Sequence, residues 1–227
     1  MAKKSNIPPR HAANLPGHLP RTKLSTVGLM FNQGLALHQA GRLEDAEDIY
    51  SQILALYPSH SDSLHLRGVI FHQRGNHVEA IRQMDLALKI NPSNIFVLND
   101  RGVALKELKR FQEALASYDR ALSIHPDYAE AHLNRGNVMQ ELGRFDEALT
   151  SVDRALTLRP DYTGALYNRG NALRALNRFE EALLAYDRAL ALRPNYAEAL
   201  FNRGITLHAL KRFEDALASY DRARGAP

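Results

Sequence analysis

The chain has 227 residues, a formal charge of +4 and no cysteine. Lack of cysteine rules out a disulfide framework and thiolate chemistry. No apolar run approaches the ~18 residues that read as a membrane-spanning helix, so no membrane span is expected and the predicted location is cytoplasmic. The charge is uneven: residues 1–26 hold Lys3, Lys4, Arg10, Arg21 and Lys23 and no acid, which leaves 24 basic residues against 25 acidic ones in the remainder. A near-neutral bulk offers no electrostatic footprint for a phosphate backbone, so nucleic acid is not an expected partner.

Residues 1–26 also lack Phe, Tyr and Trp and show no helical period. They read as a disordered, basic, proline-containing tail. The tail has no apolar stretch for a secretory signal, and its four prolines before Arg21 work against an amphipathic targeting helix.

From Val27 onward one pattern returns every 34 residues. Gly34, Gly68, Gly102, Gly136, Gly170 and Gly204 mark it, and Ala46, Ala80, Ala114, Ala148, Ala182 and Ala216 follow each glycine at a fixed distance. Pro58, Pro92, Pro126, Pro160 and Pro194 close the first five copies. The repeats run 27–60, 61–94, 95–128, 129–162, 163–196 and 197–227, the last one shortened. Self-similarity at this period is the signature of a stacked helical array, in which one unit cannot bury its own apolar face.

Each copy reads as two helices, A and B. In the fourth, Leu133, Met139 and Leu142 flank Gly136, and Ala148, Leu149, Val152, Ala155, Leu156 and Leu158 follow. Spacings of three and four put one stripe on each helix. Gly136 and Ala148 have almost no side chain, so the pair can approach closely there. Ser59, Ser93, Asp127, Asp161 and Asn195 after the prolines are expected N-caps of the next helix A. Gly41, Gly75, Gly143 and Asn177 suit a left-handed residue between A and B, with Lys109 and Lys211 in their place in repeats three and six. Acids such as Glu44, Glu113, Glu147 and Glu181 open helix B, where the positive helix end favours them.

Small residues at repeat positions 8 and 20, an aromatic or aliphatic residue at 17 and 24, and proline at 32 resemble the tetratricopeptide repeat family. The resemblance covers Val27 to Ala223. That family's frequent tryptophan at position 4 is replaced by Met30, Leu64, Leu98, His132, Leu166 and Leu200. The resemblance implies an all-α, right-handed superhelical solenoid of helix–turn–helix units whose A helices line a concave groove.

Position 6 carries Asn32, Asn134, Asn168 and Asn202, interrupted by Leu66 and Asp100, and position 9 adds Asn137 and Asn171. A side-chain amide offers two donors and an acceptor, so a row of them can hold an extended backbone without reading much sequence. This is similar to the asparagine ladder in the repeats of the O-linked N-acetylglucosamine transferases. Position 5 reads Phe31, His65, Asn99, Leu133, Tyr167 and Phe201. The lysine with which some members clamp a chaperone's terminal carboxylate is missing there, which argues against chaperone tails. Tyr167 and Phe201 instead suggest an aromatic patch beside the asparagines.

The ten histidines form no ligand cluster with metal spacing and read as solvated. No P-loop, HExxH or Gly-rich dinucleotide turn is present, so no enzyme, metal or cofactor is expected. Position 7 is Arg67, Arg101, Arg135, Arg169 and Arg203, and position 25 is Asp85, Asp119, Asp153, Asp187 and Asp221. Both are missing from repeat one, which has Gln33 and Ser51. Pairing inside each repeat is expected, because pairing with the following repeat would leave Arg67 facing Ser51, and an unpaired buried charge is costly.

The sequence thus predicts a non-catalytic scaffold that binds an extended polypeptide in its groove. Two alternatives stand beside it. One is the substrate-recruiting front of a larger glycosyltransferase-type enzyme. The other is self-association through an uncovered stripe at Leu207, Leu210, Leu217 and Tyr220.

Overall fold

The structure is a computed structural model that describes residues 21–225. All described secondary structure is helical. The chain divides into two lobes, Met1–Arg110 and Phe111–Pro227. The N-terminal lobe holds α1 (Arg21–Gln39), α2 (Leu43–Leu56), α3 (Ser61–Gln73), α4 (His77–Ile90) and α5 (Ile95–Glu107). The C-terminal lobe holds α6 (Phe111–Ile124), α7 (Ala129–Glu141), α8 (Phe145–Leu158), α9 (Thr163–Ala175), α10 (Phe179–Leu192), α11 (Ala197–Ala209) and α12 (Phe213–Gly225). The first helix starts at Arg21, so the last six residues assigned to the tail are helical; residues 1–20 lie outside the described residues.

Within each lobe every helix packs on the next in sequence, as antiparallel pairs. In the C-terminal lobe α7 also touches α9, and α9 touches α11. Successive A helices of this lobe therefore lie side by side on one face. The core is built from the expected stripes: Val152 and Ala155 meet Leu133 and Ala165, and Tyr186 and Leu190 meet Leu173, Ala199 and Leu200.

The A–B turns follow one design. In all six, the N–H of the residue before helix B bonds back to the carbonyl of the fifth residue upstream, as Arg144 N to Met139 O at 2.9 Å and Arg212 N to Leu207 O at 2.9 Å. The residue between is left-handed in every case. It is glycine at 41, 75 and 143, Asn177 at φ 58°, and lysine at Lys109 (φ 58°) and Lys211 (φ 61°). A side chain in this region costs ~1 kcal/mol or more relative to glycine. Lys211→Gly is therefore expected to stabilise the C-terminal lobe by ~1 kcal/mol in denaturant titration; a lower midpoint would contradict that reading.

Helix A starts differ from expectation. The capping residues are His60, Asn94, Tyr128, Tyr162 and Tyr196, one position after those predicted. Ser59, Ser93, Asp127, Asp161 and Asn195 occupy the preceding turn. His60 and Asn94 do cap with their side chains, while the three tyrosines cap with none.

The arginine–aspartate pairs also run in the other register. Arg101, Arg135, Arg169 and Arg203 donate from Nε to Asp85, Asp119, Asp153 and Asp187 at 2.6–2.7 Å, so each arginine reaches the aspartate of the preceding repeat. Asp221 has Arg224 at 3.5 Å instead of Arg203. The argument for pairing inside a repeat failed at Arg67, which is not stranded: Glu47, one helical turn before Ser51, approaches it at 3.7 Å. The guanidinium then extends to its own repeat, as Arg135 Nη1 donates to Ser151 Oγ at 2.5 Å and Arg203 Nη1 to Ser219 Oγ at 2.7 Å. Arg154 reaches back to Asp127 at 2.6 Å. Asp153 and Arg154 thus form a two-way staple, the acid pairing forward with Arg169 and the base backward with Asp127. A double-mutant cycle on Arg135 and Asp119 should give a coupling of ~0.5–1 kcal/mol, and one on Arg135 and Asp153 a coupling near zero. The reverse ranking would refute the register.

Candidate functional site

The sequence-predicted groove residues of the C-terminal lobe converge on the A-helix face. Tyr167 of α9 and Phe201 and Asn202 of α11 line one open cavity of about 770 Å³, together with Ala197, Glu198, Tyr220, Ala223 and Arg224. Phe201 is 53% exposed despite its size. Its ring lies 5.6 Å from Tyr220, and Tyr167 lies 5.0 Å from Tyr196 and 6.2 Å from Tyr186. These tilted rings make a rigid apolar wall with polar tips. Glu198 and Arg224 add one charge of each sign to the rim.

The asparagines do not form the free ladder that was expected. Asn168 donates through Nδ2 to Asn137 Oδ1, and Asn202 donates through Nδ2 to Asn171 Oδ1 at 2.9 Å and to the Tyr167 hydroxyl at 3.0 Å. Position 6 of one repeat therefore bonds position 9 of the repeat before it. Gln140 donates to the Asn168 carbonyl at 3.0 Å, and the Tyr186 hydroxyl donates to Asn171 Oδ1 at 2.8 Å. Close helix packing brings the amides within reach of one another, so one N–H of Asn168 and both of Asn202 are used inside the protein. The Oδ1 atoms of Asn168 and Asn202 receive no intramolecular donor and stay available as acceptors. Asn134 sits half-buried on α7, and Asn32 is exposed on α1 in the other lobe.

Burial pushes the Tyr186 hydroxyl up to about 12, with Arg174 beside it pulling the other way. Tyr186 therefore stays a neutral donor that fixes Asn171. Sequence reasoning passed over Arg174 because position 12 is histidine in repeats one, two and six, and only Lys106 and Gln140 stand at its equivalents in repeats three and four.

The N-terminal lobe places histidines where they were not expected. His38 is 1% exposed and bonds Gln73 at 3.0 Å across repeats; His65 is buried against Asp100 at 2.8 Å. His72 and His77 share a bond between their Nδ1 atoms at 3.0 Å. They are structural polar groups and not solvated ones. No cluster of three or more His, Asp or Glu side chains able to hold a metal ion occurs among the described residues. No described helix is long and apolar enough to cross a membrane.

The uncovered stripe is smaller than expected. Leu207 is fully buried against Ala216 and Leu183, and Leu210 and Tyr220 pack partly on that cluster. Leu217 alone of the four stays exposed.

Models of the tetratricopeptide repeat match residues 31–95 and 129–162, and a TPR repeat model matches 102–143 and 170–211. The chain belongs to the tetratricopeptide repeat family. Among solved structures, this TPR chain is similar to PilW, a type IV pilus biogenesis factor, with a TM-score of 0.80, 19% identity and coverage of 86% of this chain and 90% of that one. It is also similar to Pseudomonas aeruginosa pilF, with a TM-score of 0.79, 22% identity and coverage of 88% and 90%. YrrB, described as a TPR protein with an unusual peptide-binding site, matches at a TM-score of 0.63 and 25% identity, over 80% and 90%. No curated protein sequence matches the TPR chain.

Proposed function

We propose that the chain is a non-catalytic interaction scaffold that holds an extended polypeptide along the A-helix face of its C-terminal lobe. One observation carries this reading: Tyr167, Phe201 and Asn202, from two successive A helices, line a single aromatic cavity open to solvent. An exposed phenylalanine in a rigid, otherwise packed wall can hold an apolar side chain of a partner. The Oδ1 atoms of Asn168 and Asn202 offer acceptors to backbone N–H groups of the same segment. Family membership and the peptide-binding site described for YrrB support the polypeptide as the ligand class.

The test is selection from a display library of random twelve-residue peptides against the full chain. Selected peptides should share an apolar position, and Phe201→Ala should abolish that preference while circular dichroism stays helical. A library from which nothing is enriched would refute the reading.

A further inference from the structure

We infer that Arg174 makes this face selective for an acidic segment, one whose Asp or Glu lies close in sequence to the apolar side chain seated in the Tyr167–Phe201 cavity. The inference rests on the polypeptide reading above and names its ligand chemistry.

Arg174 is half-buried near the C-terminal end of α9; its guanidinium bonds the Tyr186 hydroxyl, and its Nε is buried without a hydrogen-bond partner. No carboxylate lies within ion-pair distance of it among the described residues. Several other arginines of the lobe have acids: Arg135, Arg169 and Arg203 reach aspartates, and Arg154 and Arg159 reach Asp127 and Glu130 at 2.6 and 2.7 Å, while Arg188 and Arg222 reach only the carbonyls of Pro160 and Pro194. A partly desolvated guanidinium without an acid is costly, and a carboxylate that meets it offsets that cost with two parallel hydrogen bonds.

The neighbouring groups do not neutralise it. The Tyr186 hydroxyl beside Arg174 is neutral, and its proton is committed to Asn171 at 2.8 Å. Asn171 in turn holds Asn202, which lines the aromatic cavity. A run of three bonded side chains thus connects the guanidinium to the cavity on one face of α9 and α11. Glu198 and Arg224 bring one charge of each sign to the cavity rim, and Arg224 already has Asp221 at 3.5 Å.

The test panns the same random peptide library on wild-type chain, Arg174→Gln and Arg174→Lys. Wild type should enrich Asp or Glu ~tenfold at one position near the apolar one, in line with a charge-assisted hydrogen bond. Arg174→Gln should lose the acidic preference and keep the apolar one, while Arg174→Lys retains a weaker acidic preference because it keeps the charge and loses the fork. Apolar enrichment without acidic enrichment in wild type overturns the inference and leaves the polypeptide reading intact. Acidic enrichment that survives in Arg174→Gln overturns the assignment to Arg174. An empty selection overturns the polypeptide reading itself. The wild-type selection alone can refute the inference, even if Arg174→Gln folds poorly.

Discussion

Replacing Gly170 with alanine is expected to lower the stability of the C-terminal lobe by about 2 kcal/mol, against the helix preference of alanine. A Cβ built there would stand 2.4 Å from Tyr186 Cε1 and 2.7 Å from Cδ1. Real Cβ atoms do not approach that closely, so the ring or the helix must shift. The ring has nowhere to go: Tyr186 is fully buried and its hydroxyl is bonded to Asn171. Alanine gains ~1 kcal/mol of propensity over glycine in a helix, and forcing a packed core apart costs ~1–3 kcal/mol or more. At 2.4 Å the second effect wins. Gly164 on the same helix is the control, because its nearest neighbour, Leu133 Cδ2, is at 3.7 Å. Gly164→Ala should be neutral or stabilising. Tyr186→Val, which copies Val152 of repeat four, should cost less in the Gly170→Ala background than alone. Denaturant midpoints of the four variants decide this; equal effects of Gly170→Ala and Gly164→Ala would contradict the close approach. Since Tyr186 also holds Asn171, the same substitution should weaken peptide capture.

Acidification should weaken the N-terminal lobe selectively. Burial holds His38, His60 and His72 below the ordinary histidine value of 6.5; Gln73 and Asp62 oppose the shift at the first two, and Glu107 and Asp100 at the third. A histidine with a depressed folded pKa favours the folded state fully above its unfolded pKa. That stability is lost as pH falls below about 6.5, because the unfolded chain then binds more protons. The geometry gives each loss a cause. His60 Nδ1 accepts from the Ser63 N–H at 3.2 Å, and protonation there removes the N-cap of α3. His72 Nδ1 lies 3.0 Å from His77 Nδ1, and the two share one proton there. His38 Nδ1 has no partner, so a charged ring would bury an unpaired N–H. Loss of the cap alone is worth ~1 kcal/mol. In the C-terminal lobe burial lowers His132 in the same way, opposed by its bond to the Pro126 carbonyl, and the depressed carboxylates Glu147 and Glu181 keep their charge until pH falls through the carboxylate range, so the loss near pH 5.5 is expected to be smaller there. Hydrogen exchange at about pH 7.5 and 5.5, corrected for the intrinsic rate, should show protection falling in residues 21–110 well beyond any change in 111–225. Equal loss in both would contradict the histidine account.

The 34-residue period was enough to place all twelve helices, because glycine, alanine and proline at fixed positions report backbone constraints directly. The left-handed turns were legible for the same reason, and the lysines at 109 and 211 show that the turn geometry prevails over the residue occupying it. What the sequence obscured was anything that depends on inter-repeat distance. The arginine–aspartate register looked settled by Arg67, but Glu47 supplies a partner from one turn away, which no position-by-position alignment of repeats reveals. The asparagines were visible as a row, yet only the packed structure shows that Asn168 and Asn202 each spend an N–H on Asn137 and Asn171. Buried histidines were misread because repeats one and two diverge from the others, so periodicity carries no burial signal for them. Tyr167 and Phe201 were legible as a pair since exposed aromatic residues break the polar pattern of that face.

The central claim, that the A-helix face of the C-terminal lobe is where a polypeptide binds, is tested most directly by hydrogen exchange of the full chain with and without the most enriched library peptide. The account predicts that protection rises in α9, α11 and the last turns of α12. It also predicts that Phe201→Ala removes the effect. Protection confined to the outer groove between α8 and α10, lined by Leu156, Leu184 and Arg188, or spread over the N-terminal lobe, would contradict it.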